Sequence, residues 1–99
     1  LYSTHLPISK HSANTNLYEI GRLFKMNSYR IDGNNVKEVY DSVKTVRRYR
    51  SSLPAFIECM TYRHCGHVGG DDNVRGKHTD IRDKGEVAKW RRRDPIGRK

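Results

Sequence analysis

Between residues 62 and 72 the chain reads Tyr62-Arg63-His64-Cys65-Gly66-His67-Val68-Gly69-Gly70-Asp71-Asp72. A guanidinium, two imidazoles, a thiol and two carboxylates therefore fall within one glycine-rich stretch. Such a set can contact a phosphorylated cofactor and transfer protons, because an imidazole changes charge near neutral pH. Plainer roles stand beside that one. Arg63 with Asp71 and Asp72 can salt-bridge merely to organise a loop. His64, Cys65 and His67 with Cys59 or His78 can be set out as zinc ligands, but the spacing matches no standard finger and two ligands would be adjacent. Cys65 and His67 as nucleophile and base lack an identifiable third group to orient them.

The elements around this stretch define where it sits. An apolar run, Ala55-Phe56-Ile57-Glu58-Cys59-Met60-Thr61-Tyr62, precedes it and reads as a strand buried on both faces. Upstream, Val36, Val39, Tyr40, Val43 and Val46 recur with helical period to about Arg50, with Asn35 as N-cap. Ser28 to Ile31 form a short strand entering the turn Asp32-Gly33-Asn34-Asn35. Strand, helix and strand with short connections describe a βαβ unit with parallel strands, so the fold class is α/β. In open parallel sheets ligands bind beyond the carboxyl ends of strands, and the 62–72 loop leaves such an end.

The flanks are simpler. Leu1 to Asn14 read as an irregular loop. Leu17, Ile20, Leu23 and Phe24 predict a short helix despite Gly21, capped by Thr15 or by Asn16 with Glu19 three residues on. Asp83-Lys84-Gly85-Glu86 has capping-box spacing, Val87 and Trp90 share a helical face, and Pro95 supplies a stop. Met26, Met60 and Trp90 are assigned to packing.

The chain has 99 residues, 34% hydrophobic and 31% charged, with a formal net charge of +9. A single domain, or part of one, is expected, with a core too thin to stand without partners or further chain. The opening at Leu1 without Met suggests a fragment, here taken as one partial domain over residues 1–99. The charge admits a nucleic-acid-binding module, supported by Arg91-Arg92-Arg93, but no aromatic interleaving accompanies it. Two cysteines build no disulfide framework, and no apolar run is long enough for a signal or membrane span, so a soluble, reducing compartment fits.

Several motifs occur in a familiar order: Tyr29-Arg30-Ile31-Asp32-Gly33-Asn34, Pro54-Ala55-Phe56-Ile57-Glu58, Thr61-Tyr62-Arg63, Gly66-His67-Val68-Gly69, and Trp90 with Arg93-Asp94-Pro95-Ile96. Over nearly the whole chain they resemble the alpha subunits of the first component of pyruvate, acetoin and branched-chain 2-oxo acid dehydrogenases. The resemblance implies the C-terminal part of a thiamin-diphosphate-binding α/β fold, with thiamin diphosphate held through Mg2+. It also implies two alpha and two beta subunits, and acyl transfer to a lipoyl-bearing acyltransferase. A bacterial cytoplasm is the expected compartment, with a mitochondrial matrix as the alternative. His67 matches the family's active-site histidine. Leu1-Tyr2 look like the end of the metal motif, so the Tyr2 carbonyl is the expected magnesium ligand, with the other protein ligands upstream; the fragment alone should not bind cofactor. Arg63, Asp71, Asp72 and Arg82 are assigned to loop organisation. Val68 stands where mitochondrial members carry a phosphorylatable Ser, and Ile81-Arg82 stand where the family has Tyr-Arg.

Overall fold

The computed structural model describes residues 2–3, 6–49, 53–67 and 82–97. Its elements are β1 (Tyr2–Ser3), β2 (Leu6–Pro7), α1 (Ile8–His11), α2 (Tyr18–Leu23), β3 (Asn27–Asp32), α3 (Val36–Arg48), β4 (Ala55–Met60) and α4 (Lys84–Arg91). They fall into two compact units, residues 14–61 and residues 1–13 with 62–99.

The 14–61 unit is a mixed α/β arrangement built on a two-stranded parallel sheet. β3 and β4 pair from Asn27 opposite Ala55 to Asp32 opposite Met60. Asn27 N–H donates to the Pro54 carbonyl and Gly33 N–H to that of Met60, extending the ladder at both ends. The turn into α3 is held by side chains. Asp32 Oδ1 accepts from Asn34 N–H, the Asn35 side chain caps α3 by accepting from Glu38 N–H, and Glu38 Oε1 accepts from Asp32 N–H. The strand end and the helix start thus satisfy each other's backbone donors.

α2 lies on the face that carries Ser28, Arg30, Phe56 and Glu58, because Gly21 leaves room. A β-carbon at residue 21 would come within 2.5 Å of Phe56 Cβ and closer still to Ser28 Oγ. The helix ends in a Schellman motif: Met26 N–H returns to the Gly21 carbonyl and Lys25 N–H to that of Arg22, with Lys25 at φ 56° in the position glycine usually fills.

Glu58 is the chief correction to the strand reading. β4 is not buried on both faces: Cys59 is exposed and its neighbours are half-buried, whereas Glu58 is only 7% exposed. Two strands and two helices cannot enclose both faces, and Ile31 is the one buried apolar residue among those described. Glu58 is buried because it has partners. Its carboxylate accepts from Arg30 Nε at 3.0 Å and from Tyr18 N–H at 3.0 Å, while Arg30 also donates to Asn16 Oδ1 and to the Thr15 carbonyl. Burial pushes the Glu58 carboxyl up, but the Arg30 guanidinium and the Tyr18 and Leu17 amides overcome it, leaving the group below the usual carboxylate range.

Other expectations shift by smaller margins. α2 starts at Tyr18 with Leu17 at its cap, and neither Thr15 nor Asn16 caps it. Asn14 intervenes: its Oδ1 accepts from Asn16 N–H and its Nδ2 donates to Glu19. On α3, Val39, Ser42 and Val46 turn inward, while Val36, Tyr40 and Val43 are exposed, so the apolar stripe is wider than the face that packs. β4 stops at Met60 rather than Tyr62, and α3 at Arg48.

In the other unit, the described residues 2–3 and 6–11 form strands and a short helix, where an irregular loop was expected. β1 and β2 pair antiparallel, Tyr2 opposite Pro7 and Ser3 opposite Leu6, and lead directly into α1. Strands of two residues are too short to display a sequence period. α4 starts as expected, with Asp83 Oδ1 accepting from Glu86 N–H at 2.8 Å. Among the described residues no helix is long and apolar enough to cross a membrane.

Two outcomes follow from the 14–61 unit. Glu58→Gln is expected to lower stability at pH 7 by about 2 kcal/mol, between the surface and buried ion-pair ranges because Arg30 is a third exposed. A carboxyl depressed by folding contributes above its unfolded pKa of about 4.3 and loses that contribution as pH falls through the folded value. The difference from wild type in denaturation midpoint should therefore start to shrink as pH falls below about 4.3 and go on shrinking at lower pH. Gly21→Ala should cost about 1 to 3 kcal/mol by overpacking, read from the same denaturation midpoint.

Candidate functional site

The segment from Tyr62 to His67 has no regular backbone ladder, so its shape depends on groups that reach it from elsewhere. The chief one is Arg82, 8% exposed, just before α4. Its guanidinium donates to the Arg63 carbonyl and, at 2.9 Å, to the Cys65 carbonyl. It also lies 5.1 Å from the Tyr62 ring centroid and 5.7 Å from that of Tyr2. Arg63 Nε donates to the same Cys65 carbonyl at 3.1 Å. The backbone is thereby fixed immediately before Gly66, which is buried, and His67, which is exposed.

Aromatic rings extend this arrangement. Tyr62 stacks on Trp90 with centroids 5.1 Å apart and planes within 5°, and Arg93 covers Trp90 at 4.5 Å. Arg93, Trp90, Tyr62 and Arg82 thus form a continuous series, two stacked rings with a guanidinium at each end, in which quadrupole attraction adds to apolar burial. Tyr2 meets Tyr62 edge to face at 6.0 Å. Its hydroxyl donates to Glu86 Oε2 at 2.9 Å. Burial, then the Glu86 hydrogen bond and charge, push the Tyr2 phenol up to about 12 against the opposing pull of Arg82. Burial also raises the Tyr62 phenol, with Arg82 opposing and Glu86 adding.

The expected site residues are only partly brought together. Tyr2, Arg63, Arg82 and the start of the histidine loop share this cluster. Asp71, Asp72, Val68, His78 and Ile81 lie outside the described residues. His64 Nδ1 is 3.7 Å from Asp94 Oδ2, too far for a hydrogen bond, and its buried Nε2 has no hydrogen-bond partner among the described residues. Among the described residues no three His, Cys, Asp or Glu side chains are grouped to hold a metal, and Cys59 and Cys65 are free thiols. The Tyr2 carbonyl has a defined direction. Pro7 has no N–H, so the Tyr2–Pro7 pair cannot exchange two ladder bonds; by alternation its N–H and C=O groups turn away from the partner strand.

Two members of the cluster were not singled out by their sequence. Glu86 shows only helix-start spacing, because its partner Tyr2 is 84 residues away. Trp90 reads as an ordinary packing residue on a helical face.

The Dehydrogenase E1 component family matches residues 2–98. The chain belongs to that family. It is 32% identical over 99 residues to the pyruvate dehydrogenase E1 component subunit alpha of Rickettsia typhi, covering 98% of this chain and 28% of that one. To the mitochondrial 2-oxoisovalerate dehydrogenase subunit alpha 2 of Arabidopsis thaliana it is 36% identical over 81 residues, 79% of this chain and 16% of that one. The mitochondrial 2-oxoisovalerate dehydrogenase subunit alpha of Caenorhabditis elegans is 32% identical over 99 residues, 98% of this chain and 22% of that one. The chain spans less than a third of the length of these curated relatives. No solved structure matches it.

Arg82→Ala should destabilise the 1–13 and 62–99 unit by about 2 to 3 kcal/mol, the scale of two charge-assisted hydrogen bonds, with the Arg63 carbonyl losing its guanidinium donor and the Cys65 carbonyl keeping that of Arg63. Trp90 is the sole tryptophan, so denaturation followed by its fluorescence reads this unit directly. Arg82→Lys should recover little, since one ammonium lacks the planar fork that spans two carbonyls.

Proposed function

We propose that this chain is the diphosphate-side part of an alpha subunit of a thiamin-diphosphate-dependent 2-oxo acid dehydrogenase, acting in oxidative decarboxylation. Family membership over residues 2–98 carries the proposal, and relatives named for both pyruvate and 2-oxoisovalerate keep the substrate at the level of a 2-oxo acid. An acetoin-type substrate is the neighbouring possibility within the same family. The cofactors are thiamin diphosphate and Mg2+. The partners are a beta subunit, two of each chain per assembly, and a lipoyl-bearing acyltransferase. The compartment is a bacterial cytoplasm, or a mitochondrial matrix, the plant and worm relatives being named as mitochondrial.

The residues present fit part of that site. A main-chain carbonyl is a suitable hard ligand for Mg2+, and that of Tyr2 faces away from β2. One carbonyl cannot complete an octahedral shell, so the remaining ligands must come from residues other than these. Carbanion chemistry at the 2-oxo carbon is what thiamin diphosphate supplies when bound. The work of this chain's own residues is to hold the metal side through Tyr2 and to move protons at His67. An exposed imidazole on a backbone held at Cys65 presents its ring nitrogens from a fixed origin, the arrangement a positioned proton-transfer group needs. Arg63, Arg82, Asp71 and Asp72 are assigned to shaping that loop.

A basic nucleic-acid-binding module was the competing possibility, on the strength of the net charge and Arg91 to Arg93. It finds no support in the family match, and Arg93 lies against the Trp90 ring.

The test is the alpha chain assembled with its beta subunit and assayed for 2-oxo acid decarboxylation. His67→Ala should lower kcat by about 10²- to 10⁴-fold, the usual contribution of a positioned proton-transfer group. Full turnover in that variant would remove His67 from the mechanism. The 99-residue chain alone, in equilibrium dialysis with Mg2+ and thiamin diphosphate, should retain neither.

A further inference from the structure

We infer that Glu86 is a positioning residue, whose carboxylate holds the Tyr2 phenol and through it aims the Tyr2 carbonyl at the proposed metal–diphosphate site. The inference rests on the functional reading above and extends it to a residue outside the histidine loop.

β1 is two residues long, and a hairpin with two residue pairs is not stable by itself. The direction of the Tyr2 backbone therefore depends on its side chain. Among the described residues that side chain has three anchors: the hydroxyl donates to Glu86 Oε2 at 2.9 Å, the ring lies under the Arg82 guanidinium at 5.7 Å, and the Tyr2 and Tyr62 rings meet edge to face at 6.0 Å. Only the Glu86 contact is directional at the far end of the ring. The ring contacts leave rotation and sliding open, whereas a hydrogen bond at the para oxygen fixes the long axis of the side chain.

Glu86 is itself well held. Its N–H donates to Asp83 Oδ1 in the first turn of α4, where the helix dipole favours a carboxylate. The carboxylate thus sits on a rigid element, and the hydroxyl it binds belongs to the residue proposed to give a carbonyl to the metal. Groups that orient a ligand from behind in this way change metal affinity by about 10- to 100-fold when removed. A plain structural staple, by contrast, would alter stability and leave metal affinity alone.

The experiment uses the alpha chain assembled with its beta subunit and equilibrium dialysis of thiamin diphosphate across a magnesium titration. Tyr2→Phe keeps the ring contacts and removes only the donor; Glu86→Ala removes the acceptor; Glu86→Gln keeps an acceptor oxygen. Tyr2→Phe and Glu86→Ala should each raise the magnesium concentration for half-saturation by about tenfold. The double variant should be no worse than either single one, and Glu86→Gln should bind close to wild type. Denaturation followed by Trp90 fluorescence reads the folded state independently of cofactor. Wild-type magnesium dependence in folded Tyr2→Phe, or additive effects in the double variant, overturns the positioning role alone. Failure of the unmutated assembly to bind thiamin diphosphate overturns the functional reading, and this inference with it.

Discussion

Arg82 carries a permanent charge into surroundings where 8% of the residue meets solvent, and the shape of the 1–13 and 62–99 unit depends on how that charge is accommodated. Removing a guanidinium from water is costly unless its N–H groups and its faces find substitutes. Here two N–H groups find the carbonyls of Arg63 and Cys65, and the Tyr2 and Tyr62 rings lie against the guanidinium at 5.7 and 5.1 Å. Those carbonyls belong to a segment without a ladder of its own, so each side resolves the other's deficit. The backbone before His67 gains donors, and the charge gains acceptors.

The 14–61 unit solves a related problem differently. With Ile31 as its one buried apolar residue among those described, it cannot rely on a large hydrophobic core. The Arg30–Glu58 pair spans adjacent strands and also draws in the Tyr18 amide, Asn16 and the Thr15 carbonyl. One ion pair therefore fixes the approach of α2 to the sheet, and Gly21 supplies the clearance. A pair of this kind confers specificity of arrangement more than net stability, since desolvation opposes the Coulombic gain.

The sequence revealed what is local. The βαβ order, the parallel pairing it implied, and the caps at Asn35 and Asp83 rest on signals within four or five residues, and the structure has them. Glu58 was hidden inside an apparently apolar run, because its burial depends on an arginine 28 positions away. The hairpin at Tyr2 was illegible, since two-residue strands have no period. Arg82 could be matched only by resemblance to a family pattern, and nothing local distinguishes its contacts to Arg63 and Cys65, 19 and 17 residues back. Glu86 carried a capping signal that its N–H obeys, while its carboxylate does something the spacing does not encode.

A proton-transferring side chain needs two properties that pull against each other: access to the reacting atoms and a fixed origin. Exposure alone gives access but leaves the group to sample unproductive positions, which lowers the effective concentration of the right geometry. The chain before His67 meets the second need through backbone contacts, with two guanidinium donors on one carbonyl and a buried glycine between that carbonyl and the histidine. In the proposed role of Tyr2 the logic is opposite: a ring and hydroxyl held by Glu86, Arg82 and Tyr62 would keep a main-chain carbonyl in one direction, as the near-octahedral geometry of Mg2+ requires.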